Sequence, residues 1–159
     1  MSTVYYGDAI CREKMTSLMT EMGLPDWLMP LQDVQEFRYE KETGYVWLKQ
    51  RKKKVHKIEE IGGRLISYDT VITAYIEPKK IRKLTGVKAK EFIFWITLDD
   101  IHIDTPSTGT ITLKTRSGIT KSFTALYNNH WRVIDRCFLE QKVHNLYSLI
   151  SVEGTQLAQ

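Results

Sequence analysis

The sequence predicts a mainly β fold: an antiparallel pseudo-barrel or sandwich with an N-terminal helix and room for a second helix at the C-terminus. Three observations carry this expectation. Apolar residues recur at helical spacing only near the start and in the tail. Between those ends lie many short runs with a two-residue period, separated by turn residues at close intervals. The alternating helices that a parallel α/β sheet requires are missing. A chain of 159 residues with 42% hydrophobic content is the size of one domain and can bury a core. Residues 1–30 read as a helix and Pro-rich plug, 31–127 as the β domain and 128–159 as a tail.

The first element is a helix because Ile10, Met15, Leu18, Met19 and Met22 fall on one stripe at spacings of three to five. Asp8 is placed to cap its start with a carboxylate oxygen, and Gly23 to end it in the left-handed conformation. The methionines on the stripe suit a core-facing surface. Leu24–Pro30 carries two prolines, which forbid a long helix, so its apolar residues are expected to fold back as a plug over the core.

From Val34 the period becomes that of strands. Val34–Tyr39 and Tyr45–Lys49 flank a polar segment ending in Gly44, the pattern of a hairpin. Alternation puts Tyr45, Trp47, Lys49, Arg51 and Lys53 on one face and Val46 and Leu48 on the other. The pairing is expected to continue through Val55–Ile58, leaving Gln50–Lys54 as a cationic tip, since like charges stacked inside a ladder would repel. Further strands are expected at Leu65–Tyr68, Val71–Ile76, Phe92–Leu98, Ile101–Ile103, Thr110–Lys114 and Lys121–Ala125. Val71–Ile76 and Phe92–Leu98 are apolar or β-branched on both faces, which predicts central strands covered on both sides. In Trp131–Ile150, helical spacing returns at Leu139, Val143, Leu146, Tyr147 and Ile150.

Charge is distributed unevenly. Residues 49–90 hold thirteen Lys and Arg against four Asp and Glu, a balance of +9, while the remainder holds ten against fifteen, or −5. That asymmetry points to an anionic partner for one region of the surface. Lys49, Arg51, Lys52, Lys53, Lys54 and Lys57 form one basic set, and Lys79, Lys80, Arg82 and Lys83 a second. Against an anionic membrane each cation is worth about 1 kcal/mol. Five together give roughly 5 kcal/mol, a constant near millimolar or somewhat tighter, so an aromatic such as Trp47 or a headgroup pocket would have to add the rest. Nucleic acid would also suit a basic tip, but no helix-turn-helix or ribonucleoprotein aromatic pattern accompanies it, which makes that partner unlikely on sequence grounds.

Chemistry-bearing motifs are few. There is no nucleophile elbow, Walker loop, dinucleotide fingerprint or His-Glu-x-x-His. His56, His102, His130 and His144 are scattered, and Asp99, Asp100 and Asp104 are explained most simply as turn residues. Cys11 and Cys137 lie far apart, which fits reduced thiols and no zinc spacing. No catalytic residue, metal or cofactor is therefore expected. No apolar run exceeds the five residues of Phe92–Ile96, far short of the roughly 20 of a membrane span. Met1–Asp8 does not read as a secretory signal, and a cytoplasmic location, peripheral on membranes, is the expectation.

Several segments resemble a family. Gly7–Lys14, Gly23–Pro25, Leu28–Leu31, Glu42–Gln50, Lys83–Glu91 and the Phe94–Ile96 strand, in that order, are similar to the plant domain of unknown function 538 family, the resemblance running from Tyr6 to about Ala125. It implies a compact antiparallel β pseudo-barrel preceded by a helix. It also implies two functions discussed for the family, lipid binding extending to phosphoinositides and hydrolysis of chlorophyll, with no agreed catalytic motif to transfer. The expectation is thus a non-catalytic module for anionic lipid, plausibly phosphoinositide. An esterase acting on a hydrophobic plant metabolite and an interaction scaffold using the tail, with the oligomeric state open, are the alternatives.

Overall fold

The structure is a computed structural model and describes residues 2–104, 110–126 and 132–135. Strand β1 (Ser2–Tyr6) leads into helix α1 (Asp8–Glu21), followed by a short 3₁₀ turn at Asp26–Leu28. Strands β2 (Val34–Glu40), β3 (Tyr45–Gln50), β4 (Lys54–Ile58), β5 (Arg64–Glu77), β6 (Lys80–Glu91), β7 (Phe94–Ile103), β8 (Thr110–Thr115), β9 (Thr120–Leu126) and β10 (Arg132–Asp135) complete the fold. All pair antiparallel in one sheet of order β1-β2-β3-β5-β6-β7-β8-β9-β10, with β4 attached to β5. The sheet is open, with β1 and β10 at its ends. It curls until β10 lies against the 3₁₀ turn Glu59–Ile61 after β4. This is the mainly β architecture with an N-terminal helix that the sequence predicts.

The helix is built as its stripe requires. Cys11, Met15, Leu18 and Met19 are buried against the sheet, with Ile10 and Met22 at the margin. Gly23, at φ 70°, ends it. The amide of Gly23 donates to the Thr20 carbonyl and that of Leu24 to Met19, the paired bonds of a Schellman stop. The expected role of Asp8 is corrected. Asp8 is the first helical residue rather than the cap, and its Oδ1 accepts the amide of Val34 at 2.9 Å, which ties the helix to β2. The plug forms as expected, with Leu24, Leu28, Met29 and Leu31 buried and the Tyr68 hydroxyl donating to the Leu28 carbonyl at 2.8 Å.

Other expectations change as well. Leu65–Tyr68 and Val71–Ile76 are one strand, β5, because the irregular register between Tyr68 and Thr73 lets the ladder resume rather than end. Likewise Ile101–Ile103 belongs to β7. Val55–Ile58 does not continue the hairpin with β3; both β3 and β4 pair with β5, over Val71–Tyr75 and Arg64–Tyr68 respectively. Neither Val71–Ile76 nor Phe92–Leu98 is covered on both sides. Val71 is exposed beside buried Ile72, Ala74 and Ile76, and Phe92–Trp95 is a protruding hairpin end. Strands β1 and β6 were not expected at all. The predicted helix at Trp131–Ile150 lies outside the described residues except for Arg132–Asp135, which are strand β10 rather than helix.

Gln50 occupies the gap that β3 and β4 leave along β5. Its side chain is buried, and its Nε2 donates to the carbonyls of Tyr68 and Asp69, each at 2.9 Å. These carbonyls belong to the last residue of the β4 ladder and the one after it, before the β3 ladder begins at Val71, so the amide supplies donors where the two strands meet. On the opposite edge Gly86, at φ 82°, lets β6 press against the Val71 backbone, where any Cβ would be driven into the Val71 carbonyl oxygen. Two apolar voids, of about 20 Å³ under the plug and about 30 Å³ near Phe123, are each the size of a water, so these parts of the interior are filled by side chains. Gln50→Leu keeps the volume but leaves two buried acceptors unmet, and urea denaturation should show a loss of about 2–3 kcal/mol.

Candidate functional site

The first basic set sits on the connection between β3 and β4. The chain leaves β3 at Gln50, whose side chain turns inward, so the next residues are pushed out. The Arg51 amide donates to the Asp33 carbonyl at 3.0 Å, and Arg51, Lys52 and Lys53 point into solvent with Lys49 exposed nearby. Lys54 Nζ lies 3.7 Å from Asp33 Oδ2, and Lys57 Nζ 3.3 Å from Glu59 Oε1. Lys49, Arg51, Lys52 and Lys53 make no ion pair with a described carboxylate. Two further acids are close by: Asp69 turns its Oδ1 to the Thr70 amide at 2.7 Å, and Glu36, opposite Lys49 on β2, pairs with Arg38 at 2.7 Å.

The second set is elsewhere. Pro78 and Lys79 form the two-residue turn from β5 to β6, with Lys79 at φ 59°. The Lys79 amide donates to the Met22 carbonyl at 2.6 Å, and its side chain lies along Gly23, so this cation covers the C-terminal end of α1. Arg82 is held by Glu77 at 2.6 Å, and Lys83 Nζ stands 5.6 Å above the Tyr75 ring. Lys80 is half-buried opposite Glu77. Lys49 is opposite Val71, whereas Arg82 is opposite Tyr75 and Lys80 opposite Glu77, so four to six residues of β5, about 13–20 Å along the strand, separate Lys49 from these members of the second set. The fold does not merge them into one patch. Trp47 is half-buried, its ring under the Arg38 guanidinium at 4.8 Å.

A site that sequence reasoning missed stands at the end of the β6–β7 hairpin. Glu91 pairs with Phe94 across a two-residue turn of Phe92 and Ile93. Phe92 is 83%, Ile93 80%, Phe94 66% and Trp95 41% exposed. Phe92 has φ 55°, at the first central position of the turn, where glycine is usual and a bulky side chain is strained. The base of the hairpin is rigid. Glu91, the acidic residue closest in sequence to the turn, is gripped by both Arg64 and Lys121, and Lys90 Nζ lies 5.9 Å from the Trp95 ring. The β8–β9 turn abuts it through the bond from the Arg116 amide to the Thr97 carbonyl at 3.0 Å. Lys88 and Arg116 are exposed here, as is Ile119.

Among the described residues one histidine stands beside an acid. His102 Nε2 lies 3.6 Å from Asp104 Oδ1 on the open surface, and Asp100 Oδ1 accepts the Lys83 amide at 3.2 Å. His56 packs edge-on to Tyr68, and its buried Nε2 has no hydrogen-bond partner. Among the described residues no three His, Cys, Asp or Glu are grouped as metal ligands, and no helix is long and apolar enough to cross a membrane. Cys11 is buried, its Sγ donating to the Tyr5 carbonyl at 3.3 Å, and burial pushes its thiol pKa up. His130, His144 and Cys137 lie outside the described residues.

Two predictions follow from these placements. Replacing Phe92 by Gly relieves the backbone without removing a packed side chain, so Phe92→Gly should raise stability by about 1 kcal/mol in denaturant titration. His56 has its pKa lowered, chiefly by burial and then by the Lys54 charge. The unfolded chain, with an ordinary value of about 6.5, therefore takes up the proton first as pH falls. Its contribution is complete above that value and lost through the folded pKa, so wild type should weaken below about pH 6.5 and His56→Phe should flatten that slope.

No curated protein and no solved structure matches the chain. One family model, described as protein of unknown function, DUF538, matches residues 15–127, from within α1 through β9. A match over that much of the sequence establishes descent, and the chain belongs to the DUF538 family.

Proposed function

We propose that the protein is a non-catalytic module that binds anionic lipid at a membrane surface, with phosphoinositide headgroups as the favoured ligand class. One observation carries this reading: Arg51, Lys52 and Lys53 are exposed side by side with no ion pair to a described carboxylate, on a connection that the Gln50 anchor holds outward, with Lys49 exposed at the end of β3 opposite Glu36. The three cations of the connection attract anionic lipid by roughly 3 kcal/mol, with Lys49 adding to them, a reversible and salt-sensitive adsorption. Lys54 and Lys57, each already beside an acid, add less, and Lys79, Lys80, Arg82 and Lys83 would meet the bilayer only at a second point. The branch of the family proposed for the chain is that of the plant trichome protein called Smaller Trichomes with Variable Branches, on the resemblance of Lys83–Glu91 and its flanks. A cytoplasmic location fits a module that meets anionic leaflets.

Vesicle sedimentation tests the reading. Arg51→Glu, Lys52→Glu and Lys53→Glu together should weaken binding to acidic vesicles by at least about a hundredfold, since three reversals remove more than three favourable contacts. The melting temperature should stay nearly unchanged, because these side chains touch no core residue. Equal pelleting of variant and wild type would refute the assignment. Phosphoinositide preference is read by comparing phosphoinositide with phosphatidylserine vesicles at matched surface charge.

A further inference from the structure

We infer that the β6–β7 hairpin end, Phe92–Trp95, is a membrane-insertion element that enters the acyl boundary of an anionic bilayer. The inference takes its occupant from the membrane reading above but rests on different residues. Four successive large apolar side chains protrude from a two-residue turn, and nothing in the described fold covers them. Contiguous exposed apolar surface of this kind marks an interaction site. Its shape is that of a wedge rather than a groove, which suits a fluid apolar phase better than a structured protein pocket.

The surroundings identify that phase. Directly behind the apolar end stand Lys88, Lys90 and Arg116, while Glu91 is neutralised by the Arg64 and Lys121 that hold it. A bilayer presents this same order, anionic headgroups outside and hydrocarbon within. Trp95, less exposed than the three residues before it and close to Lys90, sits at the depth where an indole favours the headgroup boundary. The backbone supports the same conclusion. Phe92 holds a positive φ that glycine would adopt freely, so the turn carries an apolar ring at a position where the fold itself would be better served by none. The strands below are paired up to Glu91 and Phe94, which gives the wedge a stiff shaft.

The test uses the full chain with vesicles of phosphatidylcholine and phosphatidylserine. Phe92→Ser with Phe94→Ser should lower partitioning about tenfold or more while leaving the melting temperature in place. Phe92→Gly should be more stable than wild type and still partition less, two changes that a merely structural role could not combine. Quenching of tryptophan fluorescence by lipids brominated in the acyl chain should occur in wild type and largely vanish in Trp95→Phe. Partitioning of the serine variant equal to wild type, or unchanged quenching in Trp95→Phe, would overturn the inference. So would a wild-type protein that fails to bind these vesicles, or that self-associates through the hairpin instead. If the Arg51–Lys53 reversal leaves binding intact while the serine variant loses it, the cationic assignment fails and the insertion element stands. The opposite pair of results overturns insertion alone.

Discussion

The architecture turns on two hydrogen bonds from one buried amide. A long strand whose edge is shared end to end by two partners must leave backbone acceptors unpaired where the partners meet. Here the gap falls at Tyr68 and Asp69, and Gln50 spans it from the last position of β3. Because the Gln50 side chain is committed inward, the chain between β3 and β4 has to bulge outward, and the residues on that bulge are Arg51, Lys52 and Lys53. The cations are therefore displayed by a core constraint, and their direction is set by the same bonds that let β5 run unbroken. Tyr68, one of the two acceptors, also fixes the plug through Leu28, which links the helix, the plug and the cationic connection in one buried set.

Much of the fold was legible because its signals are local. The stripe from Ile10 to Met22 and the Gly23 stop are both readable over a few residues, and the alternation of Tyr45–Lys49 sets Val46 and Leu48 together on one face, which is the buried one. The failures are equally physical. Strand β6 is rich in Lys and interrupted by Gly86, so its period is masked even though Ile81, Leu84, Val87 and Ala89 are buried along it. The Asp69-Thr70 pair looks like a strand end, yet it lies inside β5, where the irregularity is bridged by a side chain 18 to 19 residues away. Gln50 itself is a polar residue at the end of an alternating run, and only the tertiary structure reveals two carbonyls waiting for it.

The misreading of Phe92–Leu98 has the most consequence. An apolar run with no alternation fits a strand buried on both faces, and periodicity cannot separate that case from an apolar turn. The distinguishing fact is the positive φ of Phe92, and a Phe-Ile pair carries none of the Gly or Asn chemistry by which such turns are normally recognised. The basic sets show the reverse. Their composition is plain in the sequence, but sequence proximity could not say that Arg82 would be taken by Glu77, that Lys79 would lie against the helix end, or that several residues of β5 would stand between the sets.

The two exposed features differ in range as well as in chemistry. Unpaired cations act over a Debye length of about 8 Å at physiological salt, attracting an anionic surface before contact and losing that attraction as salt rises. Apolar side chains contribute nothing until they are desolvated, after which salt has little hold on them. The cationic connection lies toward the middle of β5 and the hairpin beyond its N-terminal end, about 20 Å apart along the strands. A small ligand could not engage both, whereas an extended surface can. Within the described fold Arg51, Lys52 and Lys53 make no ion pair, and the apolar turn is strained where glycine would relax it. On the membrane reading proposed above, the two features would meet a partner that is negatively charged at its face and apolar beneath, as a bilayer leaflet is.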